Sequence, residues 1–103
     1  MVEMVNMTQS AKISEQAGKL MVTGDITFVT VMDFLAESLP LLKQCKELNF
    51  DFSNVKEVDS SALSLLIEWR KYAKRHNKPI TFQELPQKLE SIAAVSGVEK
   101  IIT

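Results

Sequence analysis

The stretch at residues 58–63, Val-Asp-Ser-Ser-Ala-Leu, decides how this chain folds. It follows an apolar strand pattern at residues 48–52 and opens a leucine-rich helical pattern. Asp59, Ser60 and Ser61 therefore stand at a predicted helix start, where backbone N–H groups are unpaired and the helix dipole favours negative charge. Such a position can serve as a helix cap, a phosphorylation site or a docking point for another protein.

The patterns on either side of this stretch predict the order β-β-α-β-α-β-α. Strands are expected at residues 11–15, 19–23, 48–52 and 79–83, with a tight Gly-containing turn between the first two. Helices are expected at residues 30–42, 61–75 and 86–96. Strands joined by crossover helices pair at least partly in parallel, so the predicted fold class is α/β, with helices covering the sheet.

Several residues mark the predicted helix ends. Thr30 is a candidate N-cap of the first helix, and Pro40 should kink that helix or end its regular part near Leu39. Pro86 suits the first turn of the last helix, and Gly97 suits the position after its end.

Composition restricts the classes of function. The 103 residues fit one domain, and the 46% hydrophobic content supports a folded core. Twelve basic and thirteen acidic residues give a net charge of -1, which argues against a nucleic-acid binder. No segment approaches the roughly 20 apolar residues of a membrane span, so we expect a cytoplasmic protein with no direct membrane insertion. Residues 1–10 are expected to form a frayed leader before a single domain at residues 11–103.

Catalytic machinery is hard to find in the sequence. The single cysteine, Cys45, has no histidine near it in sequence and is expected to be a half-buried or buried structural thiol. His76 lies at a predicted helix end, where the dipole favours a cation, and nothing nominates a base for a Ser60 nucleophile. There is no phosphate-binding loop and no metal-ligand spacing, so no catalytic residue, cofactor or metal is expected.

The second predicted helix has three faces. A core face and a solvent face are clear, and between them runs a stripe of two aliphatic and then two cationic side chains, Leu63, Ile67, Arg70 and Lys74. This stripe is either the margin of a wide apolar face or a partner-binding edge that begins at the Ser60 end.

The polar helix start most simply caps the helix, through Asp59 or Ser60. A phosphate on Ser60 would be stabilised by the N-terminal amides but would add roughly two negative charges beside Asp59. We therefore expect phosphorylation to act by repelling an acidic or apolar partner rather than by unfolding the domain.

The segment at residues 50–63 resembles the strand, turn and "hydrophobic-Asp-Ser-x-Gly-Leu" signature of the STAS domain, named for sulfate transporters and anti-sigma factor antagonists. The resemblance extends over about residues 11–102. It implies a STAS fold, a single mixed β-sheet of about four to five strands covered by about three to four helices. Ala62 stands where the signature has glycine, which weakens an inference of kinase recognition more than one of docking.

Two branches of this family imply different partners. Residues 24–31, 66–69 and 85–98 resemble the STAS subunit of the lipid-asymmetry (Mla-type) phospholipid ABC transporter. That branch implies a non-enzymatic subunit that binds the ATPase subunit, held peripherally at the inner membrane through this partner. The alternative is an anti-sigma factor antagonist, a signalling switch phosphorylated on Ser60 by an anti-sigma factor kinase. The candidate partner-binding residues are Asp59, Ser60, Ser61, Leu63, Ile67 and Arg70.

Overall fold

The computed structural model describes residues 11–98 and 100, and within them the predicted element order is confirmed. The elements are β1 (Lys12–Gln16), β2 (Lys19–Thr23), α1 (Val31–Gln44), β3 (Leu48–Asn54), α2 (Ser60–Arg75), β4 (Ile80–Gln83) and α3 (Gln87–Ser96). The predicted leader at residues 1–10 and the last three residues of the predicted domain lie outside the described residues.

The four strands form one mixed sheet in the order β1-β2-β3-β4. β1 and β2 are an antiparallel hairpin, whereas β2–β3 and β3–β4 are parallel pairs joined by α1 and α2. The α/β class, the mixed sheet and the ranges given for the numbers of strands and helices are therefore confirmed.

The helices cover one face of this sheet. Both parallel connections step in the same direction along the sheet, so right-handed crossovers place α1 and α2 on the same side. In β3, Leu48, Phe50 and Phe52 are buried in the core that all three helices share. The alternate residues of β3 and β4 carry polar side chains, and Thr81 donates a hydrogen bond to the Asn49 side chain (2.9 Å) on the other face.

Trp69 is the centre of the core. Its fully buried indole stacks on the Phe50 ring, with the centroids 4.0 Å apart and the planes at 10°. The indole Nε1–H donates to Ser38 Oγ of α1 (3.0 Å), and the Ser38 hydroxyl donates to the Leu35 carbonyl (2.8 Å). This polar chain satisfies the buried N–H and fixes α1 against α2.

α1 continues past Pro40 to Gln44, so the prediction that its regular part could end near Leu39 is wrong. Proline removes one intrahelical N–H, whose acceptor would be the carbonyl of Ala36. Ala36 and Pro40 are both exposed, so water can satisfy that carbonyl. Because Ser38 and Leu42 are buried on either side of the proline, packing holds both halves of the helix in place.

The other helix ends mostly follow the sequence. Thr30 precedes α1 as predicted, but its side chain makes no cap hydrogen bond. Its hydroxyl instead donates to the Asp25 carbonyl (2.6 Å) and accepts from the Thr27 N–H (3.0 Å), which shapes the turn before the helix. Gly97 ends α3 at φ 75°, the left-handed conformation that glycine adopts without steric cost, as predicted.

Ser38→Ala tests the link between α1 and α2. Removing the hydroxyl leaves the buried Trp69 N–H without an acceptor, so we expect the free energy of unfolding to fall by about 1–3 kcal/mol. Urea unfolding followed by circular dichroism measures this change. Ser64→Ala, at an exposed position of α2, is the matched control and should shift stability by no more than about 0.5 kcal/mol. Equal stabilities of the two variants would contradict this role of Ser38.

Candidate functional site

The Asp59 carboxylate joins two segments that are distant in the sequence. Its Oδ1 accepts a hydrogen bond from the Ser61 N–H (2.8 Å), which caps α2. Its Oδ2 accepts one from the Phe28 N–H (3.0 Å), 31 residues earlier in the chain. Of the two candidate caps, Asp59 is therefore the one used, and the same side chain holds the turn before α1 against the start of α2.

Backbone contacts reinforce this junction. Ile26 and Val58 form an isolated parallel bridge beyond the ends of β2 and β3. The Ile26 N–H donates to the Glu57 carbonyl (2.9 Å), and the Asp59 N–H donates to the Ile26 carbonyl (3.2 Å). Because Ile26 and Val58 are both buried, the segments leading to Phe28 and Ser60 are anchored in the core.

The environment of Asp59 favours its ionised form. Partial desolvation raises the pKa of its carboxyl. The N–H groups of Phe28 and Ser61 and the Lys88 cation together lower the pKa by more than desolvation raises it, so the net pKa is below the ordinary 3.8. Lys88 belongs to the first turn of α3. The carboxylate therefore interacts with the start of α2, with the turn before α1 and with a charge at the start of α3.

Ser60 is exposed as the first residue of α2, and Ser61 is half-buried behind it. Ala62, in the place of the signature glycine, is fully buried in the core. Its methyl group therefore points away from the surface on which Ser60 lies. From the sequence, Ala62 weakens an inference of kinase recognition more than one of docking, but its buried methyl group adds no bulk to the exposed surface beside Ser60.

Three large apolar side chains are exposed in and just after the turn that is bonded to Asp59. Phe28, Val29 and Met32 are 78%, 68% and 69% exposed, and the Phe28 backbone is bonded to the Asp59 side chain. We call Phe28, Val29, Met32 and Ser60 the docking face, after the role proposed for them below. The sequence reasoning missed Phe28 and Val29 as site residues, although two bulky apolar residues between a predicted strand and a predicted helix were a signal for them.

The structure separates the predicted partner-binding residues into three places. Asp59, Ser60 and Ser61 lie together at the start of α2. Leu63 is only 8% exposed and belongs to the core. Ile67 and Arg70 are half-buried and line a groove further along α2, with Arg70 about 15 Å from Ser60 at the rise of an α-helix.

The remaining candidate groups lie away from this site. Cys45 is a free, half-buried thiol, as expected, and His76 ends α2 with its ring stacked on Tyr72 at 4.1 Å. Residues 11–98 and 100 contain no cluster of three His, Cys, Asp or Glu side chains able to hold a metal ion. No helix in the same part of the chain is long and apolar enough to cross a membrane.

A family model described as "Mlab, STAS domain" matches residues 10–103. The chain belongs to the STAS-domain family. No curated protein matches its sequence. The fold agrees with this membership, because the chain superposes on solved members of the anti-sigma factor antagonist type.

Three such structures have the same fold at low sequence identity. The anti-sigma factor antagonist SpoIIAA in its unphosphorylated form has a TM-score of 0.69 at 11% identity, over 91% of this chain and 86% of that one. The phosphorylated Bacillus SpoIIAA gives 0.66 at 11% identity, over 91% and 89%. A Thermotoga maritima protein described as an anti-sigma factor antagonist gives 0.72 at 12% identity, over 90% and 83%.

Asp59→Asn tests the double role of the carboxylate. The amide oxygen can still cap Ser61, but the NH₂ group then faces the Phe28 N–H, so this exposed donor loses its charged acceptor and must bond to water. We expect the free energy of unfolding at pH 7 to fall by about 0.5–1.5 kcal/mol, the usual contribution of one hydrogen bond. Chemical denaturation measures it, with Asp33→Asn, an exposed carboxylate in the first turn of α1, as the control.

The pH dependence of this variant gives a second measurement. Because the folded-state pKa of Asp59 is below 3.8, its stabilisation is complete well above pH 3.8 and is lost as the pH falls through the folded-state pKa. The stability difference between the unmodified protein and Asp59→Asn should therefore stay constant near neutral pH and narrow below pH 3.8. A difference that widens with acidification would contradict a stabilising carboxylate.

Proposed function

We propose that this STAS domain is a non-enzymatic docking subunit that binds a partner protein through the docking face. The observation that carries the proposal is the 78% exposed side chain of Phe28, whose backbone N–H is bonded to the Asp59 carboxylate that also caps the helix beginning at Ser60. Aromatic side chains are enriched in protein interfaces, where they contribute much of the binding free energy.

The arrangement of the face supports docking. Three large apolar side chains are exposed around one turn, although the chain has a core in which such residues are normally buried. The Asp59 bonds and the Ile26–Val58 bridge fix the backbone beneath them. A partner would therefore meet a preorganised surface and lose little conformational entropy in ordering it.

The partner we propose is the ATPase subunit of a phospholipid-trafficking ABC transporter. Its support is the transporter-type sequence pattern at residues 24–31, which contains Phe28 and Val29, together with the Mla name of the matching family model. A permanently exposed apolar face also suits a stable subunit contact. In this proposal the chain is cytoplasmic and held at the inner membrane by its partner.

Phe28→Asp and Ser60→Arg test the docking face. Each places a charge in the proposed contact, and we expect binding to the purified ATPase subunit to weaken at least about tenfold, or about 1.4 kcal/mol. Isothermal titration calorimetry measures the affinity, after circular dichroism shows that both variants fold. Val95→Asp, which changes a 90% exposed apolar residue on α3, is the matched control and should bind normally. Unchanged binding by the folded Phe28→Asp and Ser60→Arg variants would contradict this surface.

A second candidate function is that of an anti-sigma factor antagonist controlled by a kinase. The solved structures support it at least as well as the first, since one SpoIIAA structure is phosphorylated. Ser60 is exposed, follows the Asp of the motif and begins a helix. A phosphate there would receive the helix-terminal N–H groups but would bring negative charge next to Asp59 and Phe28.

This second function predicts phosphorylation at one residue. Incubation with an anti-sigma factor kinase and ATP should add the mass of one phosphate to the intact protein, and Ser60→Ala should remove that addition. Ser64→Ala, another exposed serine of α2, is the control and should still gain the phosphate. If the mass never changes while the ATPase subunit binds the docking face, the kinase-controlled function is wrong.

A further inference from the structure

Positive charge is concentrated at the end of α2. Residues 70–78 contain five of the twelve Lys and Arg residues and none of the thirteen acidic ones, in a chain whose net charge is -1. The rest of the chain is therefore distinctly acidic, and this segment is a local basic region on it.

The basic segment borders a groove between α2 and the start of β4. The groove has a volume of about 600 Å³. Among the described residues, none of those that line it is acidic. It is lined by Ile67, Arg70, Lys71, Ala73, Lys74, Lys78 and Ile80. Ile67, Ala73 and Ile80 are buried or half-buried, so they form an apolar floor beneath the cations.

The cationic side chains of the groove differ in whether they already bond to other residues of the protein. Lys78 donates to the carbonyls of Leu42 and Cys45 at the end of α1, so its ammonium is part of the wall. Lys71 has an exposed ion pair with Glu68 (3.6 Å). By contrast, the side chains of Arg70 and Lys74, one helical turn apart, have no hydrogen bond or ion pair with any of residues 11–98 and 100.

Helix stability does not account for this pair. Two like charges at i and i+4 repel each other slightly. The helix dipole favours Lys74 in the last turn of α2, but Arg70 lies one turn earlier, where the dipole has little effect. Their charge is therefore available to a ligand that carries the opposite charge.

The shape of the groove distinguishes between possible anionic ligands. Proteins that bind the surface of a bilayer insert protruding apolar side chains that lie beside cations. The large exposed apolar residues in the described part of this protein all lie outside the groove: Phe28, Val29, Met32, Leu39 and Val95. The apolar groups here are recessed instead. A recessed apolar floor between cations fits a peptide that carries an apolar side chain flanked by carboxylates.

We propose that the groove between α2 and β4 binds an acidic segment of a partner protein, with carboxylates at Arg70 and Lys74 and an apolar side chain over Ile67 and Ile80. This site is distinct from the docking face and does not depend on which partner occupies that face. The pairing of carboxylates with the half-buried Arg70 and the exposed Lys74 would select acidic segments and would weaken as salt is added.

The test uses a short fluorescein-labelled peptide that carries one leucine flanked by glutamates, and measures its binding to the full chain by fluorescence anisotropy. We expect saturable binding that weakens as NaCl rises from about 0.05 to about 0.5 M, where screening is stronger. Arg70→Glu with Lys74→Glu should weaken binding at least tenfold. Peptides with lysine in place of glutamate, or serine in place of leucine, should bind measurably worse.

Lys12→Glu with Lys56→Glu is the matched control, because it changes the net charge equally at two exposed positions outside the groove. It should bind the acidic peptide normally, as should Ser60→Arg, whose change lies on the docking face. Equal loss in the two double variants would show a general charge effect and overturn the site. Binding to phosphatidylglycerol vesicles that needs Arg70 and Lys74, without any binding of the peptide, would also overturn it in favour of a lipid surface.

Discussion

The carboxylate of Asp59 is the interaction on which the proposed function depends. It accepts one hydrogen bond from an N–H at the start of α2 and another from an N–H in the turn before α1. These two bonds hold the two segments side by side. Its pKa stays below the ordinary value because these N–H groups and Lys88 outweigh the desolvation of the carboxyl. At neutral pH the group is ionised, which is the state that accepts both bonds most strongly.

The same geometry serves both candidate functions. A stable partner would use the exposed apolar side chains around Phe28 and the small hydroxyl of Ser60. A kinase would use the exposed Ser60 hydroxyl, and the resulting phosphate would lie next to an ionised Asp59 and an apolar face. Its charge would oppose the approach of an apolar partner while the cap and the core beneath remain in place. Docking and its control by phosphorylation are thus physically compatible on one surface, since Ala62 points inward.

Much of the fold could be predicted from local patterns. The strand and helix periods predicted the element order and a core face on α2, and Gly97 predicted the end of α3. The continuation of α1 through Pro40 could not be predicted, because it depends on the burial of Ser38 and Leu42 against other elements. Thr30 is of a residue type that often caps helices, but its hydroxyl donates to the Asp25 carbonyl instead.

The candidate site was predicted only in part for the same reason. Asp59 and Ser60 are visible in the sequence because capping is local. Phe28 joins them through a hydrogen bond across 31 residues, which no local pattern contains. The sequence left two interpretations of the stripe formed by Leu63, Ile67, Arg70 and Lys74, either the margin of a wide apolar face or a partner-binding edge. The fold buries Leu63, as the first interpretation expects, and places Ile67, Arg70 and Lys74 in a groove further along α2.

A pH titration of backbone amide proton chemical shifts by NMR tests the junction most directly. If Asp59 holds both segments, the amide protons of Phe28 and Ser61 should shift together as the pH is lowered, with one common midpoint below pH 3.8. A Phe28 amide that does not respond, or that titrates at a different pH from Ser61, would show that the two loop ends are not joined by this carboxylate and would contradict the preformed docking face.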